Sequence, residues 1–346
     1  MPDTQAHEAS VAELIAAATE RTGLDGAAGK SGARLERLII GGQPYVLKHL
    51  DLAEDWTMRA AGSLRGAPLV AWERGLLGRL PGCFNQPIVA VAREDGGAGA
   101  PSGAGPSGAG PSGGCAVLMR DVSAWLVPVT DEPISLDQHL RFMRHMAALH
   151  AAFWECGDCE VIPVMHRYLE LSPWLADAEA AVGSGHLVPR LVGQGWPRLA
   201  EVAPAAAAVV TPLAHDPGPL VAALESTPHT FVHSNWKLDN LGTDAEGRTV
   251  LLDWEQPGRG APLSDLAWCL AINCRRLPQP KEEAIAAYRQ ALEALGIDTG
   301  PWWDRQLALC LLGALVQFGW EKALGGYDEE LAWWEAQAVQ AAQLLG

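Results

Sequence analysis

The chain has 346 residues, enough for two lobes with cores of their own, and 49% hydrophobic with 19% charged residues is an ordinary globular balance. A formal charge of −16 argues against a nucleic-acid partner, whose phosphates reward clustered Lys and Arg. No uninterrupted apolar run approaches the roughly 18–20 residues that span a bilayer, and MPDTQAHEAS lacks the basic region and apolar core of a secretion signal, so no membrane partner and a cytoplasmic location are expected.

The first expected element is a helix from Ser10 to about Thr22, with Ser10 and Glu13 as a capping box and Val11, Leu14, Ile15 and Ala18 on one face. Gly26 to Gly32 follows, a small loop rich in backbone amides. Its Gly29-Lys30-Ser31 mimics the end of a P-loop, but that motif needs glycine where Leu24 stands. Leu35–Ile40, the turn Gly41-Gly42 and Tyr45–Leu50 read as a β-hairpin carrying Lys48 on its second strand. A helix over Pro68–Pro81 is expected next, with Glu73 as its only acid. Strands at Pro87–Ala92 and Cys115–Met119 flank a Gly/Ala/Pro/Ser repeat from Asp95 to Gly114, whose side chains can bury little area. It is expected as a disordered, overgrown hairpin connection rather than a domain linker.

Beyond Met119 the chain turns helical. Ser135 and Gln138 cap an amphipathic segment that runs through Trp154, and Glu282–Leu295, Trp302–Leu324 and Glu329–Leu345 are expected as helices, the last two carrying tryptophans. His150 is expected as a hydrogen-bonded core histidine. The seven scattered cysteines read as buried free thiols, and Cys156-x-x-Cys159 has no second pair at zinc-binding spacing.

The segment that carries chemistry is Phe231–Glu255. Two apolar residues lead into His233, Asn240 stands seven positions later, and the buried-strand run Thr249–Leu252 ends in Asp253, Trp254 and Glu255. His-x-x-x-x-x-x-Asn is the spacing of a kinase catalytic loop, and a carboxylate at the end of the following strand can face Mg²⁺. Asn235 is the departure. That pattern places there the aspartate that accepts the attacking hydroxyl's proton, which an amide cannot do.

His233-Ser234-Asn235-Trp236-Lys237-Leu238-Asp239-Asn240 with Asp253-Trp254-Glu255 resembles the aminoglycoside phosphotransferase and choline kinase-like branch of the protein-kinase-like superfamily. The resemblance implies a two-lobed α/β (α+β) fold: a small N-terminal sheet lobe over residues 1–121 and a larger helical lobe over 122–346. It implies ATP and Mg²⁺ as cofactors and transfer of a phosphate to a hydroxyl of a small molecule. In that reading Lys48 and Lys237 contact phosphates, Glu73 orients Lys48, and Asn240 and Asp253 hold the metal. Gly29 and Ser31, in the glycine-rich loop, cover the triphosphate. The backbone of Arg120, Asp121 and Val122, at the junction of the lobes, receives adenine. His233, Asn235 and Lys237 make up the catalytic loop, with Asn235 positioning the acceptor hydroxyl. Asp265, opening Asp-Leu-Ala-Trp, would anchor that loop. The acidic chain would favour a cationic acceptor by field steering, a solubilising acidic surface being the plain alternative. Loss of the base leaves a second reading open, a pseudokinase that binds nucleotide or metabolite without turnover. Asp239 as a substitute base is the third, weakened because a side chain beside the metal ligand Asn240 should point elsewhere.

Overall fold

The structure, a computed structural model, describes residues 11–24, 31–63, 65–95 and 113–345. Helix α1 (Val11–Ala16) leads into strands β1 (Ala18–Gly23), β2 (Arg34–Ile40) and β3 (Gln43–Asp51), then helices α2 (Trp56–Ala60) and α3 (Ala67–Glu73). Strands β4 (Phe84–Asn85), β5 (Ile88–Asp95) and β6 (Gly113–Arg120) complete the first part. Helices α4 (Leu136–Ala152), α5 (Val164–Leu169), α6 (Pro173–Ala181), α7 (Leu187–Val202), α8 (Pro204–His215) and α9 (Gly218–Glu225) follow. The functional segment contributes strands β7 (Thr230–Val232), β8 (Leu241–Thr243), β9 (Thr249–Leu251) and β10 (Gly258–Gly260). Helices α10 (Pro262–Ile272), α11 (Lys281–Ala294), α12 (Trp303–Leu324) and α13 (Glu329–Ala341) close the chain.

The fold has two lobes, a small sheet lobe and a larger helical one. In the first, five strands lie in the order β1-β2-β3-β6-β5, each antiparallel to its neighbour. The β2–β3 hairpin forms as expected because Gly41 and Gly42 both take positive φ, 57° and 76°, which a two-residue turn matched to strand twist requires. The repeat over 96–112 lies outside the described residues. Asp95 stands opposite Gly113, so it joins two neighbouring antiparallel strands, as expected.

Two helices come out shorter than the periodicity implies. The first spans six residues, because Thr19 and Thr22 are β-branched and Ala18–Gly23 gains more by pairing as an edge strand on β2. The helix expected over Pro68–Pro81 stops at Glu73. Gly75 at φ 67° lets Leu76 N–H reach Ala71 C=O and Gly75 N–H reach Trp72 C=O, a Schellman ending, and only a 3₁₀ turn at Leu77–Arg79 follows. By contrast, α4 starts where its capping residue dictates, with Ser135 Oγ accepting from Gln138 N–H.

Helix α12 organises the helical lobe, packing against α7, α10 and α13. Among the described residues it is the one helix long and apolar enough to cross a bilayer, and 78% of its apolar window is buried, which makes it the core helix. Gly195 on α7 permits the approach, since a Cβ there would strike the Trp320 backbone. The lobes are tied together by β4 running parallel to β9 and by the bidentate ion pair of Arg59 with Glu179. All seven cysteines are free, four of them buried.

Candidate active site

Strand β7 delivers His233 into the interior, and the next residues are hung on α10. Asp265, fully buried, accepts from the backbone N–H of His233 (2.9 Å) and Ser234 (2.6 Å) and from the indole of Trp236 (2.9 Å). Burial works against its charge, but the hydrogen bond from His150 and these donors hold its pKa below the usual carboxylate range. His150, buried between Asp265 (3.1 Å) and Tyr288 Oη (2.5 Å), is the core histidine the sequence suggested. Two turns along the same helix face, Asn273 accepts from Leu238 N–H and donates to the Trp236 carbonyl. Ser234 sits at φ 62° and Asp253 at φ 69°, left-handed conformations rare for residues with a Cβ and held here by that network.

His233, expected from its position to be catalytic, is a correction. It is fully buried, packed edge-on to Trp254 at 4.5 Å between centroids, and its Nδ1 accepts from Asn235 N–H. Burial pushes its pKa down to about 4, so it is a neutral support for the loop. Asn235 donates from its amide nitrogen to Asp253 Oδ2 at 2.7 Å. The Asn240 amide nitrogen reaches the Asn235 carbonyl at 3.2 Å, and the Asn240 backbone carbonyl accepts from Leu252 N–H, locking the loop to the end of β9.

Lys48 arrives from the sheet lobe and meets Asp253 Oδ1 at 2.6 Å and the Glu255 carboxylate. Burial alone would discharge Lys48, but Asp253 and Glu255 outweigh it and raise its pKa. Burial likewise works against charge on Asp253, and the Lys48 ammonium overcomes it, holding the carboxyl down to about 2. Glu255, buried beside Asp253, is pushed well above the usual range.

Glu73 is a second correction. It is exposed and pairs with Arg65 at 2.5 Å, because the early end of α3 leaves it facing solvent. Glu255 makes the ion pair expected of Glu73. Strand β9 ends at Leu251 and Asp253 is left-handed, so the turn of the chain, not strand alternation, brings Asp253 and Glu255 together on Lys48. Lys237 is held at 2.5 Å by Asp239, which also lies 4.0 Å from Arg276. Gly29 lies outside the described residues. Ser31 is buried, gives its carbonyl to Trp56 N–H at the start of α2, and does not line the cleft beside Lys48.

That cleft, open to solvent, is lined by Lys48, Val117, Met119, Leu251, Asp253 and Glu255. At its junction end, Arg120 N–H donates to Pro87 and Asp121 N–H to Pro44, so two of the three groups expected to receive a base serve the protein itself. Val122 N–H is the one that remains, among the described residues.

A strand lysine, a loop amide and a strand-end carboxylate thus meet beside a cleft between a small sheet lobe and a helical lobe, an arrangement of the kind that phosphoryl transfer needs. Residues 141–304, which contain the His233–Asn240 loop and the Asp253 strand end, match the sequence model of the phosphotransferase enzyme family, and the resemblance read from those motifs is thereby shown. No curated protein shows significant similarity to the chain. Among solved structures, a thermostable mutant of aminoglycoside phosphotransferase APH(4)-Ia, complexed with ADP and hygromycin B, is similar at 15% identity and TM-score 0.46, covering 95% of each chain. Choline kinase LicA from Streptococcus pneumoniae is similar at 12% identity and TM-score 0.49, covering 94% of each chain. Macrolide 2'-phosphotransferase type I is similar at 17% identity and TM-score 0.43, covering 92% of this chain and 90% of its own.

Proposed function

We propose that the protein transfers the γ-phosphate of ATP to a hydroxyl of a small molecule, with the nucleotide in the cleft beside Lys48. The observation that carries this is the convergence on Asp253 of Lys48, 205 residues away in sequence, and of Asn235, 18 residues away. Phosphoryl transfer is mostly positioning and charge neutralisation, and those are the groups it needs.

The donor set fits magnesium. Asp253 offers a carboxylate, and Asn240, whose amide nitrogen is committed to the Asn235 carbonyl, has its side-chain oxygen left to coordinate. Among the described residues no group of three or more His, Cys, Asp or Glu could enclose a metal, which suits an ion that takes one or two protein oxygens with phosphates and water. Bound there, the ion would neutralise charge developing on the transferred phosphoryl group. Lys48 supplies a fixed positive charge from the opposite wall. The Asn235 amide nitrogen is spent on Asp253, so its carbonyl oxygen faces the acceptor hydroxyl, orienting it by accepting a hydrogen bond while leaving the proton in place. The net charge of −16 favours an acceptor with positive charge, and we assign residues 1–121 and 122–346 as the two functional lobes.

A second reading, nucleotide binding without turnover, draws on the same contact, since Asn235 closes on Asp253 with no proton acceptor between them. Calorimetry tests the shared premise. MgATP should bind at millimolar concentration or below, and Asp253→Ala should abolish the binding. An unchanged titration for Asp253→Ala would remove Asp253 from the site.

A further inference from the structure

The Cys156-x-x-Cys159 pair, which phosphoryl transfer leaves unused, lies in the turn between α4 and α5. Cys156 N–H donates to the Phe153 carbonyl at 3.0 Å, and Glu155 takes a positive φ of 54°. The turn is tied to the residue before β7: Glu155 N–H donates to the His229 carbonyl at 2.9 Å, and His229 N–H donates to the Glu155 carboxylate at 3.2 Å. Its exit is fixed by Ile162 N–H on the Pro257 carbonyl at 2.9 Å. With both ends held, the two cysteines keep one relation to each other.

Their surroundings differ. Cys156 is half-buried and Cys159 fully buried. The Cys159 thiol donates to the Cys156 carbonyl at 3.1 Å, so its side chain folds back over residue 156. The Cys156 thiol donates to Asp158 Oδ1 at 2.8 Å, and Arg79, from the 3₁₀ turn of the sheet lobe, brings Nη2 to 3.9 Å from the same sulfur. Arg79 is itself held, with Nη1 at 3.0 Å from Asp158 Oδ2 and its guanidinium 4.9 Å above the Phe153 ring. An acceptor for the thiol proton and a cation to accompany the charge left behind therefore meet at the Cys156 sulfur, as a reactive cysteine requires. Burial, with the Cys156 sulfur and the Asp158 carboxylate close by, pushes the Cys159 thiol up to about 12, so Cys159 stays protonated at neutral pH. An accessible sulfur beside a second, sheltered one is the arrangement in which oxidation ends in a disulfide.

We propose that Cys156 and Cys159 form a site of reversible oxidation by hydroperoxides, with Cys156 reacting first and Cys159 resolving the product. The Cys156 sulfur attacks one peroxide oxygen; the S–O bond forms, the O–O bond breaks, and the other oxygen leaves as water with a proton, the sulfur having given up two electrons to the peroxide. The Cys159 sulfur then attacks the Cys156 sulfenic acid. The S–S bond forms, the S–O bond breaks, and the hydroxyl leaves as water with the Cys159 proton. Neither cysteine lines the Lys48 cleft, and the site is independent of the phosphotransferase reading.

The test uses the full chain, reduced and then freed of reductant. It is exposed to hydrogen peroxide, the remaining thiols are alkylated, and the tryptic peptide 145–167 is followed by mass spectrometry; it carries both cysteines and neither of the other half-buried ones, Cys83 and Cys274. The peptide should become lighter by two hydrogens, take up no alkyl group, and regain both alkylation sites after dithiothreitol, at peroxide doses about tenfold below those that modify Cys83 or Cys274. In Cys159→Ala the reaction should stop at a Cys156 sulfenic acid that dimedone traps, and Cys156→Ser should leave Cys159 reduced at the same doses. In urea the pair should oxidise about tenfold more slowly, because the turn opens and Arg79 leaves the sulfur. The proposal is overturned if 145–167 is still fully alkylated when Cys83 or Cys274 has been modified, if Cys156 passes to the sulfinic acid without a disulfide, or if folded and unfolded chains oxidise at one rate. All three outcomes are read on the parent chain, so they stand whether or not the variants fold.

Discussion

The catalytic loop and the lysine that faces it are held in opposite ways. From His233 to Leu238 the loop hangs on two side chains of α10 and the turn after it: Asp265 takes two backbone N–H groups and an indole, and Asn273 takes one N–H and gives one to a carbonyl. Every one of these contacts is buried or nearly so. Lys48 has no such scaffold, for its partners Asp253 and Glu255 lie across the cleft on the other lobe, and Asp253 keeps 25% of its side chain exposed. One side is pinned by desolvated hydrogen bonds that are costly to lose; the other is an ion-pair cluster that a nucleotide and its metal can rearrange. In the proposed reaction the rigid side would position the acceptor and the adjustable side would meet the phosphates.

Breaking the rigid side should have the largest effect. Asp265→Ala strands several buried donors together with His150 and should cost about 3–5 kcal/mol of stability, read by denaturant unfolding. A loss below about 1 kcal/mol would show that the loop is not hung on α10. Asn235→Asp sharpens the contrast by adding a base where the two sides touch. It should raise kcat by about 10²- to 10⁴-fold, measured on an accepted alcohol or as intrinsic ATP hydrolysis, with little change in KM for ATP. It also places a second carboxylate against Asp253, so the variant should melt below the parent in chelator and recover with Mg²⁺. A variant no faster than the parent on any acceptor would take Asn235 out of the base position.

The adjustable side predicts smaller changes. Glu255→Ala removes one of the two carboxylates on Lys48 and should weaken MgATP by about tenfold, whereas Glu73→Ala, at an exposed pair, should leave it within about twofold. Equal effects by calorimetry would restore Glu73 to the site. The smallest effect belongs to the repeat. Asp95 and Gly113 are already paired, so replacing 96–112 by a short turn should change stability by under about 0.5 kcal/mol, because closure entropy grows slowly with length. A drop of several degrees in melting temperature would mean that the segment packs on the sheet.

Local chemistry made much of this legible in the sequence. The glycine pair fixed the β2–β3 turn, Ser135 started α4, the loop spacing located His233 and Asn240, and the run Thr249–Leu252 led to Asp253, all because caps, turns and short buried strands act over a few neighbouring residues. Element length was less legible: β1 forms through pairing with β2, and Gly75 ends α3 inside an apolar pattern that could have continued. What only the tertiary structure decided is which distant groups share one low-dielectric place. Glu73 and Glu255 both directly follow a tryptophan, and only packing decides that one faces water and the other Lys48. His233 lies in the motif yet is walled in by Trp236 and Trp254, and Arg167 looks like any helix arginine until β10 and α10 close around it. Burial sets the energy of a charge, and it depends on contacts many residues apart that no local pattern records.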